Sequence, residues 1–376
     1  MKLGDTDSKE LLDFPSEQHT ERNAAWLGIA LGVTFTLCFA TGLLSHLIQH
    51  PPSWFAWSST PSWGYRASQG IHVVSGFTSI PLLLAKLWVV GPKFFSWPPV
   101  RGIGHALERL SLLPLVAGGL FLLISGVINT ARFYPWDFYF PAAHYTAAWI
   151  TIGALIVHVA LKSNITKGVV FRREDTPMQL AHSRRWFLGS VGAAGGLFAA
   201  ATLGNTVKFL SPLAALGQRI PGFGPQGLPV QTTASTAGVH LDPEQYRLRV
   251  TGNVKTPLTL SLADLQAMGQ HSAELPIACV EGWSSSAHWS GVRVRELLDR
   301  AGAHPNATAT AISAQRVSRY RTSELNESHA HDPDTLLALE LNGEVLHADH
   351  GAPVRLIGPN RPGVMQTKWV TELRVR

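Results

Sequence analysis

The sequence predicts a membrane α-helical bundle followed by an α+β domain, and three observations carry that prediction. Long apolar runs without Asp, Glu, Lys or Arg fill the first half, a stretch rich in Pro and Gly follows, and short alternating segments with turn signals fill the rest. The composition agrees. Of 376 residues, 45% are hydrophobic and 15% charged, which excludes a disordered chain and allows two or three domains. The two cysteines, Cys38 and Cys279, stand far apart and exclude a disulfide framework or a cysteine-built zinc or iron–sulfur site. The excess behind the formal charge of +6 lies ahead of Leu210, beside the apolar runs. No basic stripe for phosphates remains, so nucleic acid is excluded as a partner and membrane lipid is expected.

Four windows, 24–47, 110–131, 138–161 and 186–207, carry no charge. Each exceeds the roughly 18 residues that suggest a spanning helix. A fifth, 67–91, is interrupted only by Lys86 near one end, where a long side chain can snorkel. Pro81, Pro114, Gly118 and Gly119 inside these windows are tolerable in lipid. Lys93, Arg101 and Arg109 lie between helices two and three, and Lys162, Lys167, Arg172, Arg173, Arg184 and Arg185 between four and five. The other loops carry only Arg66 and Arg132, among the interfacial aromatics Trp54, Trp57, Trp63, Trp136 and Tyr139. Basic loops stay in the cytoplasm. The expected location is therefore the cytoplasmic membrane, multi-pass, with the N-terminus inside and everything after about Leu210 outside.

Ionisable residues within spans point to function, because hydrocarbon penalises them. His144 and His158 are 14 residues apart on helix four. That spacing is about 21 Å of rise and nearly four turns, which puts both rings on one face at opposite membrane depths. Imidazole is a strong axial ligand for haem iron, and two haems stacked across the bilayer need such a spacing. His72 can face His144 at the outer level, with His46 as the rival ligand there. His158 at the inner level needs a partner, for which His105 is the nearest imidazole and His19 and Lys86 are further candidates. The alternative is that these histidines are interfacial or hydrogen-bonded inside the bundle. Residues 24–162 resemble the four-helix b-type cytochromes that serve as membrane subunits of hydrogenases and formate dehydrogenases. They also resemble the haem-bearing membrane partner of the periplasmic methionine sulfoxide reductase. The resemblance implies one or two haem b groups passing electrons between the quinone pool and an enzyme.

His182-Ser183-Arg184-Arg185-Trp186-Phe187-Leu188 precedes the fifth window and resembles the twin-arginine export signal, although Gly189 follows where Lys is common. Ordinary positive-inside charge explains the two arginines but not the Phe-Leu that follows them. A domain loaded with a cytoplasm-made cofactor must cross the membrane already folded, which suits this route.

Beyond a tether at 212–229, residues 246–250 and 307–313 alternate, and 336–341 meets 345–346 across Asn342-Gly343, a strong hairpin signal. Segments 354–357 and 368–375 complete the expected strands. Ser261 with Asp264 begins a helix as a capping box, and 294–301 forms another, stopped by Gly302. About 150 residues suffice for one α+β domain with its own core.

The informative line is Leu275-Pro-Ile-Ala-Cys279-Val-Glu-Gly-Trp283. Cys279 can be a buried packing residue, a nucleophile with only distant His288 as a base, or a thiolate ligand to a metal. Spacing alone does not choose. Ala278–Ser284, then His288-Trp-Ser-Gly-Val292, resembles the molybdenum-binding core of the sulfite oxidase family. His350-Gly-Ala-Pro-Val-Arg-Leu356, with Pro359, Gly363 and Lys368-Trp369, resembles that family's second pterin-binding segment. The resemblance covers 230–376 and implies a sulfite oxidase-like molybdopterin domain. In it Cys279 would be the catalytic molybdenum ligand, and Arg355 would hold the pterin phosphate. His350, Gln366, Thr367, Lys368 and Ser313 would contact the cofactor, with Gln231 as a further match.

The expected plan is a cytoplasmic tail (1–23), a four-helix b-type cytochrome (24–162), a cytoplasmic basic loop (163–185), a fifth transmembrane helix (186–211), a linker (212–229) and a molybdopterin-binding oxidoreductase domain (230–376). The expected activity is oxygen-atom transfer with a small oxygen-atom donor or acceptor on the outer side of the membrane, coupled through haem to quinone. The contrasting possibility is a non-enzymatic haem conduit or redox sensor whose outer domain docks a partner. Arg316, Arg319, Tyr320 and Arg321 form a cluster suited to an anion such as sulfite, or else a solvated basic edge.

Overall fold

A computed structural model describes residues 16–94, 102–171, 177–214, 219 and 221–376. Five long helices come first: α1 (Glu21–Gln49), α2 (Gly64–Phe94), α3 (Ile103–Ala131), α4 (Phe140–Phe171) and α5 (Met178–Leu203). All five contain a span long and apolar enough to cross a membrane. Ile29, Val33, Leu113, Ile124, Ile150 and Ile156 remain exposed, so the helices are apolar on their outer faces too, as helices in an apolar solvent are. Inward, Leu27, Leu31, Leu82 and Leu83 are buried, and Leu120 and Phe187 pack on them.

The helix ends differ from expectation. The helix expected at 138–161 continues to Phe171, past Lys162 and Lys167, and Lys162 reaches Glu108 at 2.5 Å. The helix expected at 186–207 begins at Met178, so Arg184 and Arg185 lie within α5 rather than ahead of it. The segment 163–185 is thus mostly helical where described, not a loop. A charge-free window stops at the first lysine, but Lys and Arg are good helix formers and the helix does not stop there. Arg101, Arg172, Arg173, tail residues 1–15 and tether residues 215–218 and 220 lie outside the described residues.

The chain divides into two compact units. One holds residues up to Ala40 with Ile71–Thr202; the other holds Thr41–Gly70 with Leu203–Arg376. The second unit contains α6 (Ala234–Ala237), β1 (Arg247–Gly252), β2 (Leu258–Ser261), α7 (Leu262–Ala267), β3 (His271–Ala278), β4 (Ser284–Arg293) and α8 (Val294–Arg300). It continues through β5 (Ala309–Ser313), β6 (Thr322–Leu325), α9 (Glu327–Ala330), β7 (Leu336–Leu341), β8 (Glu344–Val345), β9 (Arg355–Ile357) and β10 (Val370–Val375). One sheet runs β2-β1-β10-β5-β6, and the other runs β3-β4-β7-β8 with β9 also on β7. All described pairs are antiparallel except β1 with β10, where Arg249 stands beside Glu372 and donates to its carboxylate at 2.6 Å.

Local chemistry explains the boundaries. Asn342 and Gly343 both have positive φ, 53° and 83°, which is the type I′ geometry that the Asn-Gly pair favours between β7 and β8. Ser261 Oγ accepts from the Asp264 N–H at 3.1 Å while Asp264 accepts from the Ser261 N–H at 2.8 Å, a complete capping box on α7. In β7, Leu337 and Leu339 face a core with Leu248, Val250, Val292 and Leu373, whereas Leu336, Ala338 and Leu341 face another with Trp289, Ile277 and Cys279. A strand buried on both faces is apolar at nearly every position, as Leu-Leu-Ala-Leu-Glu-Leu is.

Candidate cofactor site

Strand β3 ends at Ala278, and the chain turns at once. Gly282 N–H donates to the Cys279 carbonyl at 3.1 Å, and Cys279 N–H donates to the Trp283 carbonyl at 2.9 Å. This turn holds the Cys279 side chain at the wall of a cavity of about 140 Å³. Cys279 is 1% exposed, and its sulfur accepts the Glu281 N–H at 3.4 Å. Glu281 is itself held by a buried ion pair with Arg219, whose other nitrogen donates to the Gln231 carbonyl at 2.9 Å.

Lining the same cavity are Trp283, Arg355, Gln366, Thr367 and Lys368. Arg355 enters on β9, donates to the His350 carbonyl at 3.1 Å and stacks over Trp289 with its carbon 5.2 Å from the ring centre. Burial pushes its guanidinium down to about 9. Lys368 donates to the carbonyls of Asp349 at 2.6 Å and Thr232 at 2.9 Å. Burial, with Arg355 nearby and Asp349 opposing, pushes its ammonium down to about 6. Neither forms an ion pair among the described residues, and the Nε of Arg355 and the indole Nε1 of Trp283 are buried without a hydrogen-bond partner there. A wall of cations and unsatisfied N–H donors calls for an anionic, acceptor-rich occupant.

Other expected contacts have different occupations. Ser313 donates to the Lys368 carbonyl at 2.8 Å, so it fastens the backbone behind the cavity and does not line it. His350 is fully buried, and its Nε2 meets the Pro225 carbonyl at 2.8 Å. Burial pushes the imidazole down to about 4 against the opposing effect of that bond. A carbonyl only accepts, so the neutral ring carries its proton on Nε2 and its Nδ1 is left as a buried acceptor without a partner among the described residues. Gln366 lines the cavity but clamps Gly358, donating to its carbonyl at 2.7 Å and accepting its N–H at 2.9 Å. The Thr367 and Ser323 hydroxyls meet at 2.6 Å. Of the cluster 316–321, Tyr320 lines the cavity, while Arg316, Arg319 and Arg321 are exposed and do not. Sequence reasoning passed over Arg219, Trp283 and the buried Arg361, which donates to the carbonyls of Glu324 at 2.9 Å and Met365 at 3.2 Å.

In the helical unit, the His72 and His144 rings lie 6.4 Å apart, centre to centre. The Nδ1 of His72 contacts the Cys38 carbonyl at 2.8 Å, and that of His144 contacts the Ser125 hydroxyl at 3.1 Å. His158 has a buried Nδ1 without a partner among the described residues. The Nε2 of His105 accepts from Arg109 at 3.4 Å, and the Nδ1 of His19 meets the Val89 carbonyl at 3.2 Å. Lys86 donates to the Ala24 carbonyl. In the other unit, the His46 ring stands 4.9 Å from that of His50.

Residues 235–376 match the family described as oxidoreductase molybdopterin binding domain. The mitochondrial sulfite oxidase of Drosophila melanogaster is 31% identical over 160 residues, covering 36% of this chain and 28% of its own. The protein-methionine-sulfoxide reductase catalytic subunit MsrP of Xanthomonas campestris pv. campestris is 31% identical over 157 residues, 38% of this chain and 49% of its own. The putative protein-methionine-sulfoxide reductase subunit YedZ1 of Azospira oryzae is 32% identical over 135 residues, 36% of this chain and 50% of its own. The chain thus spans half or less of the length of these curated relatives.

Proposed function

We propose, starting from the molybdopterin-binding oxidoreductase domain of residues 235–376, that the chain is a membrane-bound enzyme transferring an oxygen atom to or from sulfur, coupled through b-type haem to the quinone pool. The carrying observation is Cys279 on a cavity wall shared with Arg355 and Lys368. The site fits a molybdenum–pterin group. A thiol offers the soft ligand, the buried Arg355 and Lys368, which form no ion pair among the described residues, suit the phosphate, and the donors on Arg355 Nε and Trp283 Nε1 suit pterin acceptors. When bound, the cofactor supplies the two-electron oxygen-atom chemistry.

The chain's own contribution is orientation and field. The turn from Cys279 to Trp283 fixes the sulfur, and the Arg219–Glu281 pair braces that turn. Ser313 holds the Lys368 carbonyl and Gln366 fastens Gly358, while the carbonyls of Thr232 and Asp349 fix the position of the Lys368 Nζ. Tyr320, half in solvent at the rim, is the side chain placed to meet a substrate entering there.

For the helical half, His72 and His144 are the proposed ligands of an outer haem. Their ring centres lie 6.4 Å apart, which is near enough for both imidazoles to hold one metal. Each ring's Nδ1 faces an oxygen, the arrangement that orients a metal-binding imidazole through its other nitrogen. His158 remains the proposed inner ligand, with His105 as its partner. We place the N-terminus in the cytoplasm and the molybdopterin domain outside, with residues 24–162 as the cytochrome and 186–211 within the anchoring helix; Arg184 and Arg185 fit a twin-arginine export signal on sequence grounds.

Metal analysis with an optical spectrum of the purified full chain tests this: molybdenum and haem are both expected. Cys279→Ser should abolish turnover while leaving the haem spectrum intact, because an alcohol is a poor substitute for a soft thiolate. Wild-type turnover in that variant would refute the molybdenum-ligand assignment.

A further inference from the structure

The link between α1 and α2 has no role in the site described above, yet Thr41–Gly70 belongs to the same compact unit as the α+β domain. Asn360 organises the contact. Its Oδ1 accepts the Tyr65 N–H at 2.5 Å, its Nδ2 donates to the Ser58 carbonyl at 2.8 Å, and its own carbonyl accepts the Trp57 indole N–H at 2.8 Å. Its backbone N–H donates to the Ser62 carbonyl at 3.2 Å. Asn360 is 3% exposed with φ of 54°, a left-handed conformation that asparagine tolerates better than most residues. A Cβ on Gly64 would lie 2.9 Å from its Oδ1, so glycine permits the approach. Farther along, Asn326 Nδ2 donates to the Trp57 carbonyl at 2.8 Å, and the Ser59 and Ser328 hydroxyls meet at 2.9 Å.

These bonds seat one aromatic ring. Tyr65 is 1% exposed and packs with Ile48 and Ala278, the residue bonded to Cys279. Its hydroxyl meets that of Ser45 at 2.9 Å. Tyr65 also stands at the start of α2, seven residues, or about two turns, ahead of His72 on the same helix. We propose that the α1–α2 link is the electron junction of this enzyme: Asn360 clamps it so that the Tyr65 ring closes on Ala278, and single electrons pass between α2 and the Cys279 site through that contact. This rests on the haem and molybdenum reading above. With both groups bound, reduction of one sulfoxide would draw two electrons, one at a time, from quinol by way of haem, and would release the oxygen as water with two protons. The oxidative direction runs the same path backwards. Tyr65 keeps its own electrons and proton; it is a positioning residue and a packed medium.

The test uses the full chain in detergent or proteoliposomes. Ser59→Cys with Ser328→Cys should cross-link on mild oxidation and retain quinol-driven turnover, since the junction works closed. Asn360→Gly keeps the left-handed backbone and removes the side-chain clamp. It should slow substrate-triggered haem oxidation in stopped-flow by about tenfold or more, as loss of positioning does. Molybdenum content, haem content and turnover with a soluble dye that addresses the molybdenum site directly should stay unchanged. Tyr65→Phe, which keeps the ring, should behave as wild type, and Tyr65→Ala as Asn360→Gly. Failure to cross-link, a cross-linked enzyme that no longer oxidises its haem, or wild-type haem oxidation in both Asn360→Gly and Tyr65→Ala would each overturn the proposal. Absence of haem or molybdenum from the wild-type protein would instead overturn the reading on which it rests.

Discussion

Replacing Arg355 by Met should make the cofactor-free protein more stable and unable to load. The guanidinium is buried and desolvation alone pushes it well below its ordinary value, to about 9, a penalty of about 5 kcal/mol at about 1.4 kcal/mol per unit. Against that stand one charged hydrogen bond to the His350 carbonyl, about 2 kcal/mol, and the stack on Trp289, about 1 kcal/mol. Removing the charge while Met fills most of the volume therefore leaves a net gain of roughly 2 kcal/mol, or about 4–8 °C in Tm for a domain of this size. The sign with pH follows from both values lying at or above 9. The folded-state pKa is depressed, so this group's penalty is complete below about 9 and fades only as pH rises above it toward the ordinary guanidinium value. The difference between variant and wild type should accordingly be flat between pH 5 and 8. The assay is thermal melting of both proteins purified from a host that cannot make molybdopterin, beside molybdenum analysis of both from a competent host. A cofactor-free Arg355→Met protein that melts below wild type, or one that loads molybdenum normally, would refute the reasoning.

Three other outcomes follow from the same structure. His72→Ala and His144→Ala should each remove one haem, and His158→Ala a second, read as absorbance of the extracted haem, while His46→Ala should remove none; loss on His46→Ala but not His72→Ala would reverse the pairing. Lys368 is held down to about 6 by burial, so anionic cofactor binding should take up about one proton above that pH. Affinity should then be flat below pH 6 and weaken by up to about tenfold per unit above it, a slope Lys368→Met should abolish. A C-terminal reporter active only outside the cytoplasm should report, and one active only inside should be silent; the reverse would overturn the orientation.

The helices were legible because a charge-free window of twenty or so residues has few other uses. Their ends were not, since α4 passes Lys162 and α5 starts ahead of Arg184, where hydropathy has no further say. Asn342-Gly343 and the Ser261/Asp264 box were readable because each is complete within four residues. Strand β4, Ser-Ser-Ser-Ala-His-Trp-Ser-Gly-Val-Arg, reads as a loop in isolation and becomes a strand only because β3 and β7 flank it. At the site, Cys279, Arg355 and Lys368 stood out within motif runs. Arg219 did not, because it lies in a Pro- and Gly-rich stretch whose contact with Glu281 spans 62 positions. His350 and Ser313 carried the right chemistry but are bonded to Pro225 and Lys368, which only the folded backbone brings near them.

The parallel pairing of β1 with β10 has a consequence for biogenesis. The strand in the middle of its sheet is made after every other described strand, and its partners β1 and β5 precede it with open edges. Gln366, Thr367 and Lys368 lie just ahead of that strand, more than eighty positions after Cys279, so the cofactor wall is incomplete on a nascent chain until this last segment has been made. Such distant pairings close slowly. Until β10 inserts, β1 and β5 each keep an open edge of the kind that invites pairing with another chain, and the wall around Cys279 lacks Gln366, Thr367 and Lys368.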